Sequence, residues 1–584
     1  MKKIAGLLFF FCLYVTGHGQ DFLKTDGKRI VNSKGENILL RGMGLGGWML
    51  QEGYMLGINK EGQQYRIQQR IEALIGKEKT AEFYNAWLNN HTSKADIDSL
   101  RSWGFNSVRL PMHYQLYTLP TEQEPDPSQQ TWLQKGFALT DSLLSWCKAN
   151  GLYLILDLHA APGGQGNDNN ISDRDPMKPS LWDSKANQEK TIALWKKLAE
   201  RYVNEPTIIA YDILNEPNWG FENPEKDKNG LSEKKNEPLE KLMREITAAI
   251  RSVDKNHIII IEGNGWGNNY SGILDDGVWD NNMVLSFHKY WNFNNENSIA
   301  NIIKMRDQYN IPVWLGETGE NSNVWFTQAI RLLESNNIGW AWWPLKKTGF
   351  NNPLQVKTSE EYKKIVSYWN GAIKIPLQVD FYKTLMDFAY STNNAKNIFH
   401  ADVVDAMMRQ PFTDDTKPFG KNIIRRNTII KAVDYDLGKN GFAYYDLDTA
   451  NYRVSGKPGA GNKGSVHRND GVDIFKEEGK EAYYIGSFEK GEWLQYSVAL
   501  PASGKYSVEF LLAADTATII QFDVLSAGKA AISYQINMTG EKNKDWKKLR
   551  LKNVSLSKGK QIIRIMIKNG KADFKQMKFE RSGT

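Results

Sequence analysis

Between residues 38 and 345, short apolar runs alternate with stretches whose apolar positions recur every three to four residues. The runs lie around 38–45, 106–112, 152–158, 207–214, 257–263, 283–289, 312–317 and 338–344. Apolar runs of this length, rich in β-branched residues, predict buried strands. Between them, Gln188 to Tyr202 places Ile192, Leu194, Trp195 and Leu198 on one helical face, and Leu239 to Val253 is a second helical stretch. Eight strands separated by helices predict a (β/α)8 TIM barrel with long loops. A doubly wound sheet would want a Gly-rich phosphate turn after an early strand, and Gly42 to Gly47 lacks that spacing.

After Trp343 the alternation stops. Residues 358–410 read as helices that buttress the barrel, and 410–420, rich in Pro, Asp, Thr and Gly, read as a linker. The period then switches to two. Tyr506, Val508, Phe510 and Leu512 alternate with polar or smaller residues, as do Ile520, Phe522 and Val524, and Ile563, Ile565 and Ile567. Gly-containing turns such as Ser503-Gly504-Lys505 separate these runs, which predicts an antiparallel, jelly-roll-like all-β sandwich. The expected division is a leader at 1–19, a catalytic barrel at 20–411, a linker at 412–427 and a sandwich at 428–584.

A chain of 584 residues with 41% apolar and 24% charged residues is an ordinary globular composition for two or more domains. A net charge of +7 spread over that length is no nucleic-acid footprint. Lys2-Lys3, the apolar run Ile4 to Val15 and the small-x-small triplet Gly17-His18-Gly19 read as a secretory signal, too short to span a bilayer. The expected location is therefore secreted or periplasmic, with no membrane attachment once the leader is gone. Beyond the leader the one cysteine is Cys147, so neither an intrachain disulfide nor a cysteine-based metal site can form, and Cys147 is expected to pack in the core. Nineteen Trp and 25 Tyr supply flat faces of the kind that stack on sugar rings, although most should be core.

Two of the apolar runs end in a glutamate. Glu216 follows Leu214-Asn215, and Glu317 follows Trp314-Leu315-Gly316. In a β/α barrel, residues at strand C-terminal ends share one mouth. Two carboxyl groups meeting there suit retaining glycoside hydrolysis, one as acid/base and the other as nucleophile. Other strand ends offer partners: Arg109 to hold a carboxylate charged, Tyr290 as a phenolic donor, His159, and Asn215 within reach of a sugar 2-hydroxyl.

Arg109, His159, Asn215-Glu216-Pro217, His288-Lys289-Tyr290, Glu317 and Trp343 together resemble the active-site set of glycoside hydrolase family 5. The resemblance implies Glu216 as acid/base, Glu317 as nucleophile and Trp343 as a floor beneath the sugar, with no metal and no cofactor in catalysis. Arg41 to Glu52 and Asp157 to Asn169 are similar to exo-β-1,3-glucanases within that family, which would make Glu52 a ligand of the terminal non-reducing sugar. Glu317 is followed here by Thr-Gly-Glu-Asn rather than by that subgroup's Trp-Ser.

Residues 428–581 resemble carbohydrate-binding module family 6 through Ala432-Val433-Asp434-Tyr435, Gly491 to Val498, Ser503 to Tyr506 and Asn569 to Phe574. The resemblance implies sugar contacts at Tyr445 and Trp546, with Trp493 in the sandwich core. It also implies a structural calcium, for which Asp434 and Asp573 are candidate ligands. The expected whole is a secreted, monomeric, retaining β-glycoside hydrolase acting on β-glucan, β-1,3-linked or related, with a module that tethers it to polymer. The alternatives are a β-1,4-glucanase (cellulase), a mannanase, or a non-catalytic carbohydrate-binding protein.

Overall fold

The computed structural model describes residues 20–448, 461–526, 531–541 and 544–582. The expected leader at 1–19 lies outside the described residues. Eight parallel strands close into a barrel: β1 (Arg41–Gly44), β2 (Ser107–His113), β3 (Tyr153–Ala160), β4 (Ile208–Asp212), β5 (Ile258–Glu262), β6 (Met283–Lys289), β7 (Val313–Gly319) and β8 (Gly339–Trp343). They run in sequence order, and β8 pairs with β1 to close the ring. Every residue of β5 is buried, as expected of a strand covered on both faces.

Strand parity divides the interior into two layers. Ile155, Ile258, Ile260, Val284, Trp314 and Ala341 form an apolar cluster inside the barrel, and Leu23 and Ile30 of an N-terminal hairpin join it. Leu154, Leu156, Ile259, Ile261 and Leu285 face the other way and join the large outer core beneath the helices. The helix Glu237–Arg251 shows why that core forms: Leu239, Leu242, Met243, Ile246 and Ile250 recur at helical spacing and are all buried. Cys147 is buried in the same core. Further along β3, β5 and β6, the same inward parity brings polar side chains to the upper layer: Asp157 and His159, Glu262, Ser286 and His288.

The helices Glu360–Trp369, Phe381–Ser391 and Ala401–Met408 follow the barrel, where the sequence placed helical structure. The C-terminal region is strand-rich: β9 (Asn427–Lys431), β10 (Tyr444–Tyr445), β11 (Ile474–Lys476), β12 (Tyr483–Glu489), β13 (Trp493–Leu500) and β14 (Gly504–Ala513) come first. β15 (Thr518–Leu525), β16 (Ile532–Met538), β17 (Lys547–Leu556), β18 (Gly559–Asn569) and β19 (Lys571–Arg581) complete it. They form a five-stranded sheet, β10-β13-β18-β15-β16, and a second sheet, β11-β12-β19-β14-β17, with β9 also paired to β19. The two bury one apolar core between them.

Residues 412–427 do not behave as a free linker. The Lys417 N–H donates to Leu437 O at 3.0 Å and the Ile424 N–H to Ala499 O at 2.9 Å, so the segment is laid onto the sandwich. Some of its backbone groups thus pair with the sandwich, a pairing that the Pro- and Asp-rich composition conceals.

Candidate active site

Arg109 is the hub of the barrel mouth. Fully buried, it donates from Nε (2.9 Å) and Nη2 (2.7 Å) to Asp212, from Nη2 to Asn215 Oδ1 at 2.8 Å, and from Nη1 to Glu317 Oε1 at 2.5 Å. Asp157 and Glu262 lie 3.2 and 3.1 Å from the same guanidinium. Burial alone would discharge it, but the four carboxylates outweigh that and push its pKa above the ordinary value. Asp157, Asp212 and Glu262 were not singled out from sequence, although an acid closing the run Ile258-Ile259-Ile260-Ile261 was a usable signal.

Glu317 reaches this cluster through a β-bulge. In the β6–β7 pairing Phe287 faces Leu315 but His288 faces Glu317, so Gly316 is the extra residue. Trp314 points into the barrel and Leu315 out of it, and simple alternation would then send Glu317 outward. The bulge turns it inward instead. Gly316 is required there, because a Cβ would stand 2.2 Å from Ser286 Oγ and 3.1 Å from His288 Nε2. The other oxygen of Glu317 accepts from Tyr290 OH at 2.9 Å.

Glu216 sits just beyond β4 with φ +43°, a strained value for a non-glycine residue. Its N–H donates to Glu262 Oε2 at 2.8 Å, and its Oε1 lies 2.5 Å from His288 Nδ1. Burial first, then the charges of Glu317 and Glu262, raise its pKa to about 7 against the opposing pull of His288. The His288 imidazolium is disfavoured by burial, but Glu262, Glu317 and Glu216 together hold its pKa well above the usual value. Burial also works against a charged Glu262, yet His288, Arg109 and the Glu216 N–H keep its pKa low.

His159 bonds Asp157 through Nδ1 at 2.8 Å, and its Nε2 is 3.3 Å from Asn215 Nδ2. Burial lowers its pKa to about 3, so it is a neutral ring. Trp343 stacks parallel to it with centroids 5.0 Å apart and donates from Nε1 to Tyr54 OH at 3.0 Å. Glu52 comes within 3.9 Å of His159 Nε2, and burial followed by the charges of Glu317, Glu320 and Glu216 raises its pKa well above the carboxylate range. All nine barrel residues picked from sequence gather here. Seven of them, all but Arg109 and Asn215, line one cavity of about 790 Å³, to which Asp168, Trp266, Trp291 and Glu320 also contribute. Oxygen and nitrogen atoms of Glu216, His288 and Glu317 lie within 4.8 Å of one another.

The module residues fare differently. Tyr445 and Trp546 are each 38% exposed, but Tyr445 is on β10 of the five-stranded sheet while Trp546 just precedes β17 of the other. Trp493 is not in the sandwich core, which takes its even-numbered neighbours Leu494, Tyr496 and Val498. It faces outward opposite Tyr445 and is covered by the Arg564 guanidinium 3.8 Å above its ring. The cover leaves Trp493 only 8% exposed, so burial arises from a cation–π contact and not from the core. Asp573 is paired with Lys544 at 2.9 Å, and among the described residues neither it nor Asp434 joins a group of three ligand-bearing side chains.

Residues 65–349 match the cellulase family, glycosyl hydrolase family 5, and residues 465–581 match carbohydrate binding module family 6. The barrel is a family 5 glycosyl hydrolase domain. Family 5 glycosidases need no cofactor for catalysis. A β-xylosidase of Phanerodontia chrysosporium is 27% identical over 376 residues, 58% of this chain and 74% of its own length. Endoglucanase C of Acetivibrio thermocellus is 30% identical over 203 residues, covering 34% of this chain and 50% of the endoglucanase. A glucan 1,3-beta-glucosidase of Blumeria graminis is 28% identical over 275 residues, 45% of this chain and 58% of the relative. The chain thus spans only about half the length of the latter two, and the three relatives differ in named activity.

Proposed function

We propose that the chain is a secreted retaining β-glycoside hydrolase that cleaves β-glucan from its non-reducing end, with Glu317 as nucleophile and Glu216 as acid/base. The observation that carries the reading is the spacing of the two carboxyl groups, whose oxygens approach within 4.8 Å. Retention needs carboxyl groups roughly 5–5.5 Å apart, whereas inversion needs roughly 6.5–9.5 Å to admit a water. Arg109 and Tyr290 each donate to one oxygen of Glu317, which fixes the orientation of its carboxyl group at the cavity wall. Glu216, with a pKa near 7, can hold a proton at neutral pH and later return to take one from water. Attack by Glu317 on the anomeric carbon breaks the glycosidic bond as Glu216 protonates the leaving oxygen. Water, deprotonated by Glu216, then releases the sugar with its configuration retained.

Exo action is supported by Glu52, which lines the cavity beside His159 and Trp343 and would meet a terminal sugar there. The Gly53 N–H donates to Gly62 O at 2.9 Å within the loop holding Glu52 and Tyr54, and the Tyr65 N–H at the end of that loop donates to Asp173 at 2.9 Å, which ties it to the segment holding Asp168. A preference for β-1,3-glucan over xylan, cellulose or mannan rests on resemblance, because loops rather than catalytic residues set the sugar in such barrels.

Glu317→Ala should abolish turnover, and azide should restore it with formation of the glycosyl azide of inverted configuration. Wild-type rates in that protein would exclude Glu317. Product analysis on laminari-, cello-, gentio-, xylo- and manno-oligosaccharides then assigns the sugar, and release of monosaccharide from the first minute is expected if action is exo.

A further inference from the structure

The sandwich meets the barrel directly beneath the loop that follows Glu317. Asn469, 1% exposed, accepts at its carbonyl from the Asn323 N–H at 2.9 Å and donates from Nδ2 to Asn321 O at 2.9 Å and Asn323 Oδ1 at 3.0 Å. Its own N–H donates to Asp402 Oδ2 at 2.7 Å, the atom that also accepts from Asn323 Nδ2 at 2.7 Å. All four side chains are buried. The loop presenting Asn469 is itself held, because Arg468 is buried over the Tyr435 ring at 3.6 Å and donates from Nε to Asp470 Oδ2 at 3.0 Å.

From this junction two short paths lead to the reacting groups. Asn321 Nδ2 donates to Tyr290 O at 3.2 Å, and Tyr290 OH donates to Glu317. Asn323 also opens the helix Asn323–Ser335, whose Trp325 donates to Asn292 O at 2.9 Å and accepts from Asn294 Nδ2 at 3.0 Å. Both paths end on the segment 290–294, which carries Tyr290 and the cavity residue Trp291. Among the described residues Asp402 Oδ1 lacks a hydrogen-bond partner, but the remaining junction groups are bonded to one another, and such buried polar networks favour one arrangement.

We propose that Asn469 is a positioning residue for catalysis, holding residues 319–323 so that Tyr290 is aimed at Glu317; the sandwich is then part of the active-site support as well as a candidate sugar binder. The inference rests on the reading of Glu317 as nucleophile. It separates two roles that a detachable binding module would not combine. Among the described residues, those lining the cavity all belong to the barrel, so loss of Asn469 should disturb the transition state more than binding.

The test uses the full chain, an activated aryl β-glycoside too small to need the module, and assays well below each variant's unfolding temperature. Asn469→Ala should lower kcat about tenfold with KM within about twofold, a misplacement effect on chemistry rather than on affinity. Tyr290→Phe should lower kcat on its own, and the double variant should be no worse than the poorer single one, because both act through one contact. Asn469→Ser, which keeps a hydroxyl donor, should show a smaller loss in the same direction and covers an alanine protein that does not fold. Wild-type kcat in a folded Asn469 variant, or losses that multiply in the double variant, would overturn the inference while leaving the nucleophile in place. Unchanged kcat in Tyr290→Phe would instead remove the site reading on which it stands.

Discussion

At the scale of the residue, one guanidinium organises four carboxylates. Arg109 is buried with Asp157, Asp212, Glu262 and Glu317 about it, and its planar fork serves Asp212, Asn215 and Glu317 at once. Lysine has the charge without the fork. Arg109→Lys should therefore reduce kcat by roughly 100-fold or more and destabilise the fold by about 3 kcal/mol, the cost of leaving buried carboxylates under-compensated. Steady-state kinetics and denaturant unfolding check both. The pKa of Glu216, about 7, sets a second expectation. As a general acid it must be protonated, so kcat/KM should fall as pH rises through about 7. Because Glu317 is one of the charges that raise it, Glu317→Gln should lower the Glu216 pKa, and a carbon-13 titration of the labelled glutamates would show this directly. A Glu216 titration unchanged by that substitution would contradict the coupling.

At the scale of the element, β7 and its bulge decide whether the two glutamates meet. Gly316→Ala would drive a methyl to 2.2 Å from Ser286 Oγ, against a neighbouring strand in a packed barrel. The relief available is to shift β6 or to straighten β7, and either one moves His288 or Glu317. Gly316→Ala should lose activity by about 100-fold or more while remaining folded and cooperative, checked by kcat on an aryl glycoside together with a thermal melt. The apolar run ending in a glutamate was legible in the chain, as were the β/α alternation and the positions of all eight strands. The bulge was not, because two-residue parity read along one strand says nothing of its register against the next. Asp157 and Asp212 were hidden for a related reason: an acid inside a strand declares itself only when its partner, here Arg109 on another strand, is known.

At the scale of the whole molecule, barrel and sandwich share a buried polar junction. Asp402→Ala would strand the Asn469 N–H and Asn323 Nδ2 without an acceptor. Each unsatisfied buried donor costs about 1–3 kcal/mol, so the junction should loosen while each core remains. Limited proteolysis between 408 and 427 should then become faster, and a single unfolding transition should split in two. Deleting residues 412–584 should lower rates on disaccharides as well as on polymer, contrary to the behaviour of a tethered module. Undiminished disaccharide rates would restore the simple tether. For the same reason Tyr445 and Trp546 should be tested separately by binding to soluble glucan, since they lie on different sheets and cannot be assumed to hold one sugar.

What the sequence determined by itself was the local grammar. Period two or unbroken apolarity gave strands, helical spacing gave the covering helices, and strand-end glutamates, arginine, histidines and tyrosine marked one mouth. Those features depend on neighbours a few residues apart. What the tertiary structure alone decided depends on neighbours hundreds of residues apart. These are the inward turn of Glu317, the buried acids around Arg109, the outward Trp493 beneath Arg564, and the fixing of the loop after Glu317 by Asn469. Each is set by strand register, burial or domain contact, and those quantities exist only once the chain has folded onto itself.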